Sequence, residues 1–279
     1  MERVTGAARF AGGDQAYLRD EQYRDPRRLA DRTNLHLRYG TAPVPWFEWV
    51  AALVAVQEGH RILEVGCGAG TLWEQEAVET PPSVSLTLCD LSPGMVHEAT
   101  TRASASGRFV SVTGRAADLQ ALPFESVSFD RVVANHMLYH LPDPSLGVAE
   151  LARVMAPDGC VIVATNGASH MRELHEIEAE VFGAVALDRT VEKFGAEVGF
   201  SILRQHFADI HWLRYDDELH CADPADVLAY SCSSPPGEDA TPQQRMALRA
   251  AIAARFDAGA GVMTITKDAG AFTCQQPLS

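Results

Sequence analysis

Lysine is scarce in this sequence of 279 residues: Lys193 and Lys267 are the only two among 23 basic residues. The 37 acidic residues outnumber the basic ones and set the formal net charge at −14 at pH 7. A surface of that sign repels phosphate backbones. The one arginine-rich stretch, residues 24–32, is interrupted by Asp25 and Asp31. We therefore expect a protein that binds no nucleic acid.

Long apolar runs and paired cysteines are also absent. No stretch approaches the roughly 18 uninterrupted apolar residues of a membrane-spanning helix, and residues 1–3 open no signal peptide. We therefore expect a cytoplasmic protein with no membrane partner. The cysteines show no CxxC pair and no metal-like spacing, which favours reduced thiols over disulfides or a zinc site. They are Cys67, Cys89, Cys160, Cys221, Cys232 and Cys274.

The middle of the chain alternates strand and helix patterns, which predicts a parallel sheet covered by helices on both faces. The glycines and prolines between the segments mark turns, among them residues 157–159. The predicted strands are 60–65, 84–89, 109–113, 129–134 and 160–165, and the predicted helices are 71–78, 93–104 and 145–155. This order of elements predicts an α/β fold.

The two ends of the chain are predicted to be mostly helical. Near the N-terminus we expect one or two helices over 15–38, broken at Pro26, and another over 46–56. The C-terminal part predicts helices over 170–184, 190–199, 223–231 and 241–257, with strands at 206–213 and 262–266. We divide the chain into an N-terminal helical cap (1–58), a cofactor-binding core (59–168) and a remainder (169–279) with a helical substrate-cap insertion at about 216–260. The N-terminal helices either pack on their own domain or exchange with a second copy in a homo-oligomer.

A glycine-rich segment follows the first predicted strand. Glu64 precedes Gly66, Gly68 and Gly70, and a short helix is expected next. Glycines let the backbone turn sharply and approach a ligand closely, and the helix start presents unpaired N–H groups. A dinucleotide site would have GxGxxG spacing, whereas this is GxGxG. Because Glu64 would repel a pyrophosphate and attract an ammonium, the segment favours a cofactor with an amino-acid moiety.

Each of the next two predicted strands has an aspartate at its end or shortly after it. Asp90 ends the second predicted strand, 20 residues beyond Gly70, where an acid can accept both hydroxyls of a ribose. It can equally cap the helix that begins near Ser92. Asp118 and Leu119 follow the third strand, where a carboxylate can accept an adenine amino group between Leu119 and Leu91. Asp118 taken alone fits a loop aspartate as well.

These elements together resemble the class I S-adenosylmethionine-dependent methyltransferases, in particular the small-molecule, ubiquinone/menaquinone-type branch (methyltransferase type 11). LEVGCGAG, Asp90, Asp118-Leu119 with LPFESVSFD, NHMLYH at 135–140 and ELARVMAPDGCVIVAT carry the resemblance over residues 60–166. It implies a Rossmann-like, mostly parallel seven-stranded sheet flanked by helices, S-adenosylmethionine as the cofactor and S-adenosylhomocysteine as the product.

The resemblance also implies roles for individual residues. It places Asn135 beside the sulfonium and Tyr39 near the cofactor carboxylate. The cofactor-binding set is Glu64, Gly66, Gly68, Gly70, Asp90, Leu91, Asp118, Leu119, Asn135 and Tyr39. The acceptor is expected to be a small molecule, held between the core and the caps at 1–50 and 205–260.

His140 and His136 are the candidate catalytic residues, since histidine is the usual base near neutral pH. His140 is the preferred base, and the alternative is a scaffold histidine that bonds backbone before Pro142. Histidines of the C-terminal part compete for this role: His206, His211 and His220. His170 and His175, with nearby glutamates, suggest a metal site or, at helical spacing, a solvated helix face. We favour the solvated face and predict no metal.

Aromatic residues predict a hydrophobic or aromatic acceptor, methylated on oxygen, nitrogen or carbon. They are Trp46, Phe47, Trp49, Tyr139, Phe207, Trp212 and Tyr215, of which Trp49 and Phe207 fit the core equally well. Two rivals stay open at this point. One is a regulatory or scaffold protein that binds S-adenosylmethionine without methyl transfer. The other is an NAD-dependent oxidoreductase, disfavoured by the GxGxG spacing.

Overall fold

The computed structural model describes residues 9, 14–22, 27–74, 80–183 and 190–278. Its seven-stranded sheet has the order β3-β2-β1-β4-β5-β7-β6. The strands are β1 (Arg61–Val65), β2 (Ser85–Asp90), β3 (Ser111–Ala116), β4 (Phe129–Asn135), β5 (Met155–Asn166), β6 (Phe207–Cys221) and β7 (Met263–Pro277). Strands β1 to β5 pair in parallel, and β7 runs antiparallel to β5 and β6. The predicted mostly parallel, Rossmann-like sheet is confirmed.

Helices cover the sheet and extend over one of its ends. They are α1 (Gln15–Tyr17, continued by a π-helical turn at Leu18–Gln22), α2 (Arg27–Tyr39), α3 (Trp46–Val54), α4 (Pro93–Ala105), α5 (Pro144–Val154), α6 (Arg172–Phe182), α7 (Thr190–Phe194), α8 (Ala196–Leu203), α9 (Pro224–Ser231) and α10 (Pro242–Ala258). Four of them begin with a polar cap followed by proline, an arrangement that satisfies orphan N–H groups. The caps are Ser92, Asp143, Asp223 and Thr241. Among the described residues, no helix combines the length and apolarity needed to cross a bilayer.

The strand order reverses between β1 and β4. In open α/β sheets, ligands bind in the crevice beyond the C-terminal ends of the strands at such a point. Apolar clusters fill both faces of the sheet, one including Phe129 and Phe272 and the other Trp73 and Val84. A third cluster joins α2, α6, α9 and α10. The sheet therefore fixes the crevice, and helices from both ends of the chain surround it.

The predictions for the last two strands were wrong in length. β6 runs to Cys221 and β7 to Pro277, so the helices predicted as an insertion lie between residues 222 and 262. In β6, buried positions alternate through Tyr215, Leu219 and Cys221. The sequence pattern fails there because the inward position between Tyr215 and Leu219 is Asp217, which forms an ion pair with Lys267 of β7.

Smaller differences concern three other segments. Residues 157–159 are not a turn before a strand but a register irregularity inside β5, where Phe129 pairs with Met155 and Arg131 with Cys160. β3 begins two residues later than predicted, because most of its side chains are exposed and no apolar pattern marks it. The segment 71–78 shows a 3₁₀ turn at Thr71–Glu74, while 75–78, residue 184 and Pro26 lie outside the described residues.

Candidate active site

One cavity of about 760 Å³ lies at the C-terminal ends of the central strands and extends under α2. The loop after β1 lines one side, and side chains of the N-terminal helices line the other. Most of the predicted cofactor residues contribute to its lining, namely Glu64, Gly66, Gly68, Asp90, Leu91, Asp118, Leu119 and Asn135. The fold thus brings residues from the ends of β1, β2 and β4 and the turn after β3 to a single space.

The glycines after β1 differ in what they do. Gly66 has a φ of 69°, and a Cβ there would lie 2.7 Å from Met137 Cβ, so only glycine fits at this position of the loop. The backbone N–H of Gly68 donates to Asp90 Oδ2 at 3.0 Å. Gly70, with a φ of 82°, does not line the cavity. It faces α4 instead, where a Cβ would lie 2.9 Å from Ala99 Cα. Gly70 therefore allows close packing of α4.

Asp90 is held rigidly at the end of β2. Besides Gly68, the backbone N–H of Ser92 donates to its Oδ1 at 2.9 Å. Burial raises the pKa of Asp90, although these backbone donors oppose the shift. A carboxylate oxygen has two acceptor positions, so each oxygen keeps one for a ligand hydroxyl. The geometry fits the ribose-binding prediction.

Glu64 carries an interaction that the sequence analysis missed. Its Oε2 accepts a 2.6 Å hydrogen bond from Trp73 Nε1, and both side chains are buried. Burial raises the pKa of Glu64 to about 8, the Trp73 hydrogen bond lowers it, and the charge of Asp90 raises it. An ammonium group beside Glu64 would favour the charged carboxylate. Trp73 is thus a positioning residue for this acid.

Four more of the predicted cofactor-binding residues line the same cavity, namely Leu91, Asp118, Leu119 and Asn135. Asp118 caps the turn at Leu119–Ala121 and accepts from Gln120 N at 2.9 Å, and it lines the cavity together with Leu119 and Leu91. Asn135 ends β4, and its buried Oδ1 has no hydrogen-bond partner. Buried polar atoms are rarely left unpaired in native proteins. The amide oxygen of Asn135 is thus a site for a ligand donor such as an ammonium or hydroxyl group.

His136 and His140 both line the cavity just beyond β4. Burial lowers the pKa of each to about 3, assisted by the charge of Lys267 at His136 and by that of Arg32 at His140. Both rings are therefore neutral at pH 7. His136 adopts a φ of 54° and its ring centroid lies 4.9 Å from that of Trp46.

Four of the predicted aromatic side chains line the cavity. Trp46, Phe47, Tyr139 and Tyr215 line the cavity, and the rings of Trp46 and Tyr215 meet edge to face at 5.1 Å. The remaining predicted aromatic residues do not line it: Phe207 and Trp212 pack in the apolar cluster of one sheet face and Trp49 packs against that of the other. His206, His211 and His220 do not line it either, and the last two pair with Asp209 and Glu218.

The structure places Tyr39 away from the cavity. Its hydroxyl donates to Asp226 Oδ2 at 2.7 Å, and this bond ties α2 to α9. Tyr39 and Leu35 lie one turn apart on α2 and pack together in the cluster under the C-terminal helices. The predicted bond to a cofactor carboxylate is therefore replaced by a contact between helices.

Four further cavity residues were not predicted as site residues. The rings of His36 and His170 stack with centroids 5.9 Å apart, and Lys267 Nζ lies 2.8 Å from Asp217 Oδ2. The interpretation of His170 as part of a solvated helix face was wrong, because it precedes α6 and is half-buried against His36. No group of three or more metal-ligating side chains occurs among the described residues. The only sequence signal for this cluster is that Lys267 is one of two lysines.

A glycine loop at the reversal of a Rossmann-like sheet, with acids ending β1 and β2, defines the cofactor site of the class I methyltransferases. Residues 63–163 match the family model described as methyltransferase domain. This part of the chain is therefore a class I, S-adenosylmethionine-dependent methyltransferase domain, as the sequence resemblance implied.

Two curated relatives are similar in sequence to part of this chain, and a solved structure shares its fold. Malonyl-[acyl-carrier protein] O-methyltransferase from Paenibacillus sp. is 32% identical over 51% of this chain and 56% of its own length. The ubiquinone/menaquinone biosynthesis C-methyltransferase UbiE from Geobacter sulfurreducens is 30% identical over 42% of this chain and 46% of its own. The chain thus spans about half the length of these curated relatives. A phosphoethanolamine N-methyltransferase from Haemonchus contortus shares the fold, with a TM-score of 0.55, 18% identity, and coverage of 94% of this chain and 59% of that one.

Proposed function

We propose that this chain transfers a methyl group from S-adenosylmethionine to a small apolar or aromatic molecule. The observation that carries the proposal is the continuity of one cavity from the glycine loop to a chamber lined by Trp46, Tyr139 and Tyr215. A cofactor bound at the strand ends and an acceptor held against these rings would share that space. The relatives' names include both an O- and a C-methyltransferase, so the acceptor atom is left open.

Residues of the loop and strand ends would hold the cofactor. Glu64 and the amide oxygen of Asn135 would accept from its ammonium and nearby donors, and Asp90 would accept from the ribose hydroxyls. Asp118 would accept from the adenine amino group, while Leu91 and Leu119 would flank the ring. When bound, the cofactor supplies a methyl group activated by its positive sulfonium. The chain itself contributes orientation and exclusion of water.

We assign His140, with His136 beside it, to the acceptor side of the cofactor. For an acceptor with an O–H or N–H group, the acceptor atom forms a bond to the methyl carbon, and the carbon–sulfur bond electrons go to sulfur. The acceptor proton then moves to a neutral imidazole. Burial keeps these rings neutral at pH 7, and a pKa of about 3 makes them weak bases, so the proton leaves the acceptor after methylation has made it acidic.

Methyl transfer can be tested by incubating the protein with radiolabelled S-adenosylmethionine and a panel of small aromatic acids, phenols and amines. Label in an organic product, with release of S-adenosylhomocysteine, is the expected result. His140→Ala should abolish transfer without weakening cofactor binding, while His97→Ala, on the exposed face of α4, should leave both unchanged. Cofactor binding without transfer to any acceptor would favour a regulatory or scaffold protein. A wild-type rate in His140→Ala would leave His140 only a scaffold role.

A further inference from the structure

The cavity lining includes three side chains that play no part in the proposed methyl transfer. His36 comes from α2, His170 from the turn after β5 and Lys267 from β7, and all three line the cavity. The charge of Lys267 lowers the pKa of both histidines in addition to the larger effect of their burial. The three groups therefore act on one small volume.

Each of the two imidazole rings presents one hydrogen-bond donor to the cavity. The Nδ1 atoms of His36 and His170 are buried without hydrogen-bond partners. A proton there would bury a donor that has no acceptor, which is rarer in proteins than an unfilled acceptor. A neutral ring has one N–H, so the proton belongs on Nε2, the nitrogen left to meet the cavity.

Lys267 adds a positive donor. Its side chain is 6% exposed, and Nζ lies 4.8 Å above the Tyr215 ring and 5.7 Å from that of Trp46. An ammonium has three N–H donors, and the single hydrogen bond described for Lys267 goes to Asp217. The remaining donors are available to a ligand between the rings.

Asp217 does not offset this donor character. Its Oδ1 accepts from the backbone N–H groups of Thr41 and Ala42 at 2.7 and 2.8 Å, and its Oδ2 accepts from Lys267. The carboxylate is thus already supplied with donors and tied to the segment between α2 and α3. Glu176 also lines the cavity, but its side chain is exposed to water. Asn166 adds one acceptor, its unpartnered Oδ1, so the donors that remain for a ligand are those of His36, His170 and Lys267.

Building on the proposed function, we propose that the acceptor carries a carboxylate and that His36, His170 and Lys267 bind it. A carboxylate offers acceptor positions only, so it matches two imidazole N–H groups and an ammonium. The apolar remainder of the acceptor lies against Trp46 and Tyr215. The carboxylate-binding residues and the glycine loop then line one cavity that cofactor and acceptor share.

The test is calorimetric titration of the protein saturated with S-adenosylhomocysteine, using 2-naphthoate and its neutral analogue 2-naphthamide as probes. We expect naphthoate to bind at least tenfold more tightly than naphthamide. His36→Phe and His170→Phe keep a flat ring but remove the donor, and each should weaken naphthoate binding about tenfold, the scale of a hydrogen bond to a charged group. His36→Gln, which keeps an N–H donor, should restore part of the loss. His211→Phe, an exposed histidine outside the cavity, is the matched control.

The prior titration with S-adenosylhomocysteine separates the two proposals. If it fails to bind to the wild-type protein, the proposed function fails. If it binds equally to all variants, they are folded and the probe results decide. Absence of naphthoate binding, equal binding of the two probes, or unchanged naphthoate binding in both phenylalanine variants would overturn the carboxylate proposal.

Discussion

Asp90 connects two parts of the site through one side chain. It accepts from the N–H groups of Gly68 and Ser92, so it holds the glycine loop against the end of β2. The same carboxylate is proposed to accept the ribose hydroxyls. Its removal should therefore be felt in cofactor affinity more than in stability.

Asp90→Ala is expected to weaken S-adenosylmethionine binding by about 1.5–3 kcal/mol, the value of a hydrogen bond to a charged group. Calorimetry measures the affinity, and Asp158→Ala, at an exposed aspartate in the register irregularity of β5, is the control. An affinity equal to wild type in Asp90→Ala would rule out the ribose assignment.

Trp73 is predicted to set the pH at which Glu64 becomes charged. The indole N–H lowers the pKa of Glu64 against the larger effect of burial. Trp73→Phe removes this donor, so the pKa of Glu64 should rise above its value of about 8. Less carboxylate is then present at pH 7 to bind the cofactor ammonium, and affinity should fall there relative to wild type.

This prediction is checked by measuring affinity for S-adenosylhomocysteine from pH 6.5 to 9.5. The ratio of variant to wild-type affinity cancels the titration of the ligand's own amine, and it should recover toward one as pH rises. Trp49→Phe, which does not line the cavity, is the control. A ratio that does not change with pH would contradict the role given to Trp73.

At the scale of elements, two glycines of the loop after β1 are expected to have different roles: Gly68 in cofactor binding and Gly70 in stability. Gly70→Ala places a methyl group against the backbone of α4 at a φ of 82° and should lower the free energy of unfolding by about 1–3 kcal/mol. Gly68 lines the cavity and has a φ of 50°, which alanine tolerates better than 82°, so Gly68→Ala should weaken cofactor binding at least tenfold with a smaller effect on unfolding. Urea denaturation and calorimetry distinguish the two. Equal losses of stability in both variants would contradict this division.

The elements differ in how far their sequences predict them. Strand β1 and the glycine loop are determined by local sequence, because a buried apolar run and three glycines specify both the strand and the turn after it. The second half of β6 instead depends on contacts between residues that are distant in the sequence. Asp217 occupies an inward position that a sequence pattern assigns to an apolar residue. Its ion pair with Lys267 and its hydrogen bonds from Thr41 N and Ala42 N make that position compatible with burial. The same ion pair explains why β7 was predicted too short, because Lys267 is a charged residue at a buried position of that strand.

At the scale of the whole molecule, the site depends on contacts between distant parts of the chain. His36 and His170 are 134 residues apart, and their rings stack where α2 meets the turn after β5. No pattern within either segment predicts that contact. The cofactor side was predictable because each of its residues follows a strand of the central sheet, whereas the acceptor side is assembled by tertiary packing.

The buried histidines should make the protein acid-labile. Burial lowers the pKa of His36, His136 and His140 to about 3 and that of His170 well below its ordinary value. In the unfolded chain these rings protonate below about pH 6.5. The unfolded state then binds more protons, so stability is full above about pH 6.5 and falls as pH decreases toward 3.

The expected slope is up to about 1.4 kcal/mol per pH unit for each such histidine, and the raised pKa of Glu64, about 8, offsets part of it because it acts in the opposite direction. Urea denaturation at pH 7, 6 and 5 measures it. His36→Phe should reduce the slope, and His211→Phe, at an exposed position, should not. Stability that rises on acidification from pH 7 to 5 would contradict the neutral, buried state of these rings.

The central claim is that the glycine loop and the acids at the ends of β1 and β2 bind S-adenosylmethionine. Calorimetric titration of the purified protein with S-adenosylmethionine, and separately with S-adenosylhomocysteine, tests it most directly. The account predicts one site per chain and micromolar affinity for both. Failure of both to bind would contradict it and leave the cavity without its assigned ligand.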